Sequence, residues 1–424
     1  MSGSRIEHVF RDLGFDAPTE EQGKVWEAAQ SGFPTDGIVW LGEGHVRAVC
    51  QELHMQDDAA QALVASLEVF NRHPALRHVA WFQYQTFVRS PWGEGTGMRL
   101  WPNFYARLDG TARLVDALVL LACVPSVRAF HKERGISAAI TYDTLSDLEL
   151  WIREEKRLTG TWGVALRGWL SNHFSGRLFK LGRLQFEYHP YHYDVHVFRN
   201  VNDRRVVAFA AGGQRFRSDG YYDGANGIHD PQGFISSFRC DTNLLHGTPI
   251  DPARGVAKRE PLELNAAEWR CIFGKHDPCL GVHIPASGPM DPAACRESFR
   301  LAREFFPRHF PERRFEAFTC SSWLLDAQFE DYLKPDSNIV QWLREWLLFP
   351  IPDATDHQHL ERVFDSRFDK QNLDANPQKS SVQRAIVEHL KKGKDWVFGG
   401  SLYFAEDLDW GAQVYRKSLS YHDA

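Results

Sequence analysis

Leu280-Gly281-Val282-His283-Ile284-Pro285-Ala286-Ser287-Gly288-Pro289-Met290-Asp291-Pro292 is the stretch on which the fold turns. Leu280 to Ile284 reads as a short apolar strand, and the proline- and glycine-bearing run after it as a loop. Asp291 is placed to cap a helix, with Pro292 at the first helical position, where a missing N–H costs nothing. Cys295, Phe299, Ala302 and Phe306 then recur at spacings of four, three and four, which lays them on one helical face. Strand, loop and capped helix together announce a β–loop–α unit.

Outward from there the alternation continues. Phe315 to Trp323 reads as the next strand, and Ser337 caps a helix expected from Asn338 to about Leu348. Ser380 and Gln383 form a capping box for a helix carrying Val382, Ile386 and Leu390, and Trp396 to Phe404 supplies a closing strand. Upstream, Leu184 to Val197 is rich in aromatic and β-branched residues, and Arg205–Ala210, Phe234–Arg239 and Trp269–Phe273 are further strand candidates. Between them Gly220 to Gly227 is turn-rich, so residues 190–275 read as a β-rich insertion.

Residues 1–175 carry a different pattern. Ile6, Val9, Phe10 and Leu13 share a helical face, Thr19 and Gln22 form a capping box, and Leu63, Leu67 and Phe70 mark a helix that stops before Pro74. Another apolar stretch runs from Leu114 to about Phe130, and Thr144 with Asp147 opens a helix bearing Leu148 and Ile152. The fold class is α+β: a helical N-terminal domain, 1–175, then a mixed-sheet α/β domain, 176–424.

Length and composition agree with two domains. The chain has 424 residues, 43% apolar and 25% charged, more than one core usually holds and too apolar for disorder. A net charge of −6 gives no general attraction to nucleic acid or anionic lipid. The seven cysteines include no CxxC pair, so reduced thiols in a cytoplasmic protein are expected. No signal-peptide core follows Met1, and the apolar run Ala117–Val124 is far short of the ~20 residues that span a bilayer. His189, His192 and His196 cannot all share one strand face, and no metal site is expected from them.

Several segments carry a resemblance. They are Leu181-Gly182-Arg183-Leu184-Gln185-Phe186-Glu187, Val282-His283-Ile284-Pro285 with Gly288-Pro289-Met290, Ser322-Trp323-Leu324-Leu325-Asp326, Ser337-Asn338-Ile339 and Val382-Gln383-Arg384-Ala385-Ile386. The chain resembles a bacterial family of N-acyltransferases that pairs a helical N-terminal domain with a GNAT-like C-terminal domain. The resemblance implies an acyl donor, acyl-CoA or acyl-pantetheine on a carrier protein, and a small-molecule or peptide amine as acceptor. It also implies that the strands near 283 and 320 part to leave a slot for the donor, with Ile284, Ser287, Gly288, Ser321, Ser322 and Asn338 beside it. The family's Arg/Gln-x-x-Gly-x-Gly/Ala donor loop is kept only in part: Gly288 is its one glycine, Pro289 and Pro292 donate no N–H, and Asp291 adds a carboxylate.

Direct attack of an amine on a thioester needs a base, and an acid for the leaving thiolate. His283 suits the first task, since an imidazole titrates near neutrality; the alternative is a structural histidine bonded across the sheet. Glu187 alternates with Gln185 and His189 on one strand face, placing a carboxylate and an imidazole together, or forming only a polar ladder. Tyr332 is the candidate acid, although the 338–348 helix itself has no tyrosine. Cys320 reads as packing rather than as a nucleophile. The competing function is a non-catalytic binding protein on a degenerate GNAT fold.

Overall fold

The computed structural model describes residues 5–90, 92, 97–102, 108, 110–164, 166–364 and 368–416. Its contacts divide the chain into two compact units, Met1–Leu181 and Gly182–Ala424, a boundary slightly later than the change of pattern at 175.

The first unit is built of helices around Val115–Glu133, in which every residue from Val115 to Val124 is buried. A helix apolar on all sides needs covering on all sides, and its neighbours provide that. By length and composition alone Ala112–Glu133 could cross a membrane, so the short apolar run understated this helix; most of it lies inside the unit. Its one buried acid, Asp116, receives Gln83 at 2.7 Å and Arg167 at 3.1 Å, which satisfies the carboxylate. The expected capping box of Thr19 and Gln22 is formed. Thr144 caps nothing: Ser137 starts the helix Ala138–Leu145, and the next begins at Asp147.

His131 sits deep in this unit, its Nδ1 2.8 Å from the Thr141 hydroxyl, and burial lowers its pKa to about 4. The imidazole stays neutral in the fold but takes a proton once unfolded. Its contribution is therefore intact above pH ~6.5 and is lost as pH falls through about 4, a difference of roughly 3 kcal/mol. Denaturant titrations at pH 7.5 and 4.5 check this: the wild type should lose more stability on acidification than His131→Asn. Equal losses would show that His131 does not set the acid response.

The second unit is organised on a mixed sheet whose strands run in the order Leu184–Pro190, Pro278–His283, Ala317–Ser322, Gly399–Phe404, Leu347–Phe349. Strands 278–283 and 317–322 are parallel and the other pairings are antiparallel. Helix Pro292–His309 covers one face, capped as expected by the Asp291 carboxylate on the Ala294 N–H at 2.8 Å. At its centre Phe299 is fully buried against Phe186, Phe318, Trp346 and Trp410, with ring centroids 4.4 to 5.7 Å away.

Two expectations need correction here. The helix after Ser337 ends at Arg344, and Leu347–Phe349 is an edge strand paired with 399–404. A short run of buried apolar residues looks alike in either state, and tertiary pairing decides it. Likewise Leu184–Val197 is not one strand. It breaks at Pro190, which cannot donate to a ladder, and resumes as Val195–Asn200 in another sheet. That sheet runs Val256–Ala257, Pro249–Asp251, Val206–Ala210, Val195–Asn200, Trp269–Phe273, and a three-stranded sheet lies beside it in sequence, so the segment between residues 195 and 273 is β-structured. In its turn-rich segment Asn226, at φ +54°, donates to the Trp396 carbonyl and accepts from the Asp356 N–H.

Candidate active site

The parallel ladder between strands 278–283 and 317–322 pairs Cys279 with Ala317, Leu280 with Phe318 and Gly281 with Thr319, and there it ends. Both strands run on. Val282 and His283 stay paired with Phe186 and Gln185 on one side, while Cys320, Ser321 and Ser322 stay paired with Ser401, Gly400 and Gly399 on the other. Beyond the Gly281–Thr319 rung each lip is held only from outside, so no ladder joins His283 to Ser321. The expected parting of strands is present at the expected place.

On the His283 lip, strand alternation puts Gln185, Glu187 and His189 on the same face as Cys279, Gly281 and His283. His283 Nε2 lies 3.3 Å from Glu187 Oε2, and the carboxylate is nine-tenths buried. The pair sets an imidazole nitrogen against a carboxylate oxygen, the arrangement a proton-accepting histidine and its orienting partner require. Gly281 is what lets the rings approach: a Cβ there would stand 2.7 Å from His189 Nε2 and 3.5 Å from His283 Nε2. His189 Nδ1 is 2.9 Å from the Pro190 carbonyl, which can only accept, so Nδ1 carries the hydrogen. Burial holds His189 below the usual imidazole range, with Glu187 partly opposing the shift. A glycine inside an apolar strand often marks such a close approach, a signal that adds to the strand alternation that placed His189 beside Glu187.

On the opposite lip the Ser321 hydroxyl is 2.7 Å from the Tyr193 hydroxyl. Burial raises the Tyr193 pKa and the Ser321 bond partly offsets it, so the phenol is protonated at neutral pH. Tyr193 reaches the sheet from the turn after Pro190, packed edge-on against Phe349 at 5.2 Å. Sequence spacing gave no sign of that contact. Tyr332 is placed elsewhere: its hydroxyl is 3.0 Å from His389 Nδ1, and its ring packs near Trp396 and under Lys392. Cys320 is buried and its thiol is pushed up to about 12, which leaves it protonated and unreactive.

The loop after Ile284 continues directly from the His283 lip. Its residues Ser287 and Gly288 are exposed, Gly288 at φ +93°. Arg183, in the turn before strand 184–190, donates to three carbonyls of this loop: Pro285 at 2.9 Å, Gly288 at 2.8 Å and Pro289 at 2.8 Å. Ser322 caps the short helix after its strand through Leu324, and Ser337 caps the helix that begins at exposed Asn338. Among the described residues no group of three or more His, Cys, Asp or Glu is placed to hold a metal ion. His189 and His192 rings are 5.9 Å apart, whereas His196 stacks on Phe238 instead.

Comparison with known proteins fits this geometry. The model of an N-acyltransferase N-terminal domain matches residues 45–176, and that of a GNAT-like C-terminal domain matches 178–402. No curated protein matches the chain. An acyltransferase solved in complex with decanoyl-CoA and teicoplanin is 27% identical, with a TM-score of 0.59, over 94% of this chain and 99% of its own. An acyltransferase in complex with decanoyl-CoA is 25% identical at a TM-score of 0.60, over 93% and 98%. A mutant acyltransferase in complex with octanoyl-CoA is 26% identical at 0.58, over 94% and 98%. With its splayed strands, and with its C-terminal model matched over more than half its length, the chain belongs to the family of N-acyltransferases with a GNAT-like C-terminal domain.

Proposed function

We propose that the protein transfers an acyl group from acyl-CoA to an amine on a small molecule or peptide, by direct attack in the slot between His283 and Ser321. The observation that carries this reading is the early end of the Gly281–Thr319 ladder, with a histidine–glutamate pair on one lip and a serine–tyrosine pair on the other. Similar proteins solved with decanoyl-CoA and octanoyl-CoA support a medium-chain donor, and the one solved with teicoplanin supports a small-molecule acceptor.

In this mechanism His283, backed by Glu187, takes a proton from the acceptor's ammonium. The free amine attacks the thioester carbonyl, and the C–N bond forms as the π electrons move to oxygen. His283 releases this first proton to solvent; collapse of the intermediate then breaks the C–S bond, the nitrogen gives its second proton to the freed His283, and the Tyr193 phenol protonates the departing thiolate. Tyr193 is then reprotonated through Ser321, so amide, thiol and one released proton balance the reaction. Neither lip requires a covalent enzyme intermediate. A cytoplasmic setting suits the cysteines, none of which is in a disulfide.

A second reading, a non-catalytic binding protein, draws on the Asp291 carboxylate occupying the helix start where a phosphate would otherwise bind. Thermal shift with acyl-CoAs of different length, followed by mass-spectrometric detection of acylated amine, separates the two. A donor at a hundred times its dissociation constant should stabilise the fold by about 2.7 kcal/mol. Stabilisation together with N-acylated product is expected; stabilisation without product would favour the binding protein, and neither would defeat both readings.

A further inference from the structure

The strands, the slot and the two polar lips leave one strongly held group unused: the Arg183 guanidinium. Arginine usually spends its charge on a carboxylate, and the fork of five donors suits that pairing. Among the described residues Arg183 has no carboxylate partner; its Nε, Nη1 and Nη2 each take a different carbonyl, those of Pro289, Pro285 and Gly288. All three belong to the loop that continues from the His283 lip. The turn that carries Arg183 is itself fixed, because the Arg183 N–H donates to Ser298 Oγ at 2.8 Å on helix 292–309.

The consequence follows from peptide geometry. In a trans peptide the C=O and the next N–H point in opposite directions, and the described chain contains no cis peptide. Carbonyls drawn toward Arg183 therefore send the following N–H groups away from it. After Pro285 that N–H belongs to Ala286, and after Pro289 to Met290; after Gly288 comes Pro289, which has none. The Gly288 N–H is spent on the Ala286 carbonyl at 3.1 Å. A glycine-rich loop would need no such brace, but this loop holds two prolines and one glycine.

We propose that Arg183 is a positioning residue for the donor: by bracing three carbonyls it aims the Ala286 and Met290 N–H groups outward, as donors for the oxygens of a thioester's pantetheine–phosphate arm. This rests on the acyl-transfer reading. It explains how a loop poor in glycine retains a donor surface although Asp291 occupies the helix start. The charge of Arg183, paired with no carboxylate among the described residues, adds attraction for the arm's phosphate.

The test uses the full chain and octanoyl-CoA, with initial rates measured against donor concentration at saturating amine. Arg183→Gln and Arg183→Lys should each raise the donor KM by about tenfold or more, because charge-assisted hydrogen bonds are lost, while kcat and the amine KM change by less than about twofold. Lysine should not rescue, since one ammonium cannot span three carbonyls. Folded variants with the wild-type donor KM would overturn the proposal, and so would equal losses in kcat and thermal midpoint with KM unchanged. Should neither variant fold, Gly288→Ala serves: at φ +93° it strains the loop, and no atom lies within 4 Å of the added Cβ. It should raise the donor KM in the same way, and an unchanged KM would count against the brace. A wild type inert toward every thioester would sink the acyl-transfer reading first. The brace would then be judged on CoA alone: wild-type thermal stabilisation absent from Arg183→Gln supports it, and no difference between them refutes it.

Discussion

Replacing His283 by alanine is expected to lower kcat by about 10²- to 10⁴-fold, the range a positioned general base supplies. The residue sits just beyond the last rung of the parallel ladder, where the backbone is held only by strand 184–190. Its Nε2 faces the buried Glu187 carboxylate at 3.3 Å, which orients the ring toward the acceptor. Removing the ring leaves an acceptor that is mostly ammonium near neutrality and cannot attack. Glu187→Gln keeps the shape and removes the charge, so a loss of about ten- to a hundredfold is expected, the worth of one charge-assisted contact. His283→Ala should keep the wild-type thermal midpoint within a few degrees, because that side chain is about one-third exposed, and Glu187→Gln should do so because it keeps the side chain's shape. Steady-state rates with octanoyl-CoA, read beside melting curves, check the pair. Wild-type turnover in His283→Ala would remove that residue from the chemistry.

Phe299→Ala is expected to cost about 3–5 kcal/mol, as large-to-small changes at fully buried aromatics do. Few positions are so central: the ring meets Phe186 and Phe318 from two strands, Trp346 beside the edge strand, and Trp410 stacked at 4.4 Å. Those neighbours come from segments far apart in sequence, so the cavity left by alanine cannot close by one local shift. Strands 184–190 and 317–322 flank strand 278–283, and both lose packing under the slot. Urea unfolding should therefore show a lower midpoint at an unchanged slope. A loss below about 1 kcal/mol would mean that the second unit's core does not depend on this ring.

The strand, loop and capped helix around His283 were legible in the sequence because each element rests on local rules. Asp291 and Pro292 announce a helix start, and the spacing from Cys295 to Phe306 announces its buried face. Strand alternation likewise put Glu187, Gln185 and His189 on one face, and register then set them opposite Gly281, His283 and Cys279. Other features are contacts between distant segments, on which local periodicity is silent. Tyr193 meets Ser321 across more than a hundred residues, Arg183 meets the 285–289 loop across a similar span, and Leu347–Phe349 becomes a strand only because Gly399–Phe404 offers an edge. Tyr332 shows the converse. The resemblance implied a tyrosine acid near the helix after Ser337 and Tyr332 was the candidate, but its side chain is held by His389 and Trp396. Family resemblance supplied the idea of parted strands; the ladder ending at Gly281–Thr319 gives it a position.

The most direct measurement is a crystal structure of the full chain with a non-hydrolysable octanoyl-CoA analogue. The analogue's sulfur is expected between the His283 and Ser321 lips, with the pantetheine arm running past Ala286 and Met290. An analogue bound elsewhere, with side chains filling the gap beyond Gly281 and Thr319, would contradict it.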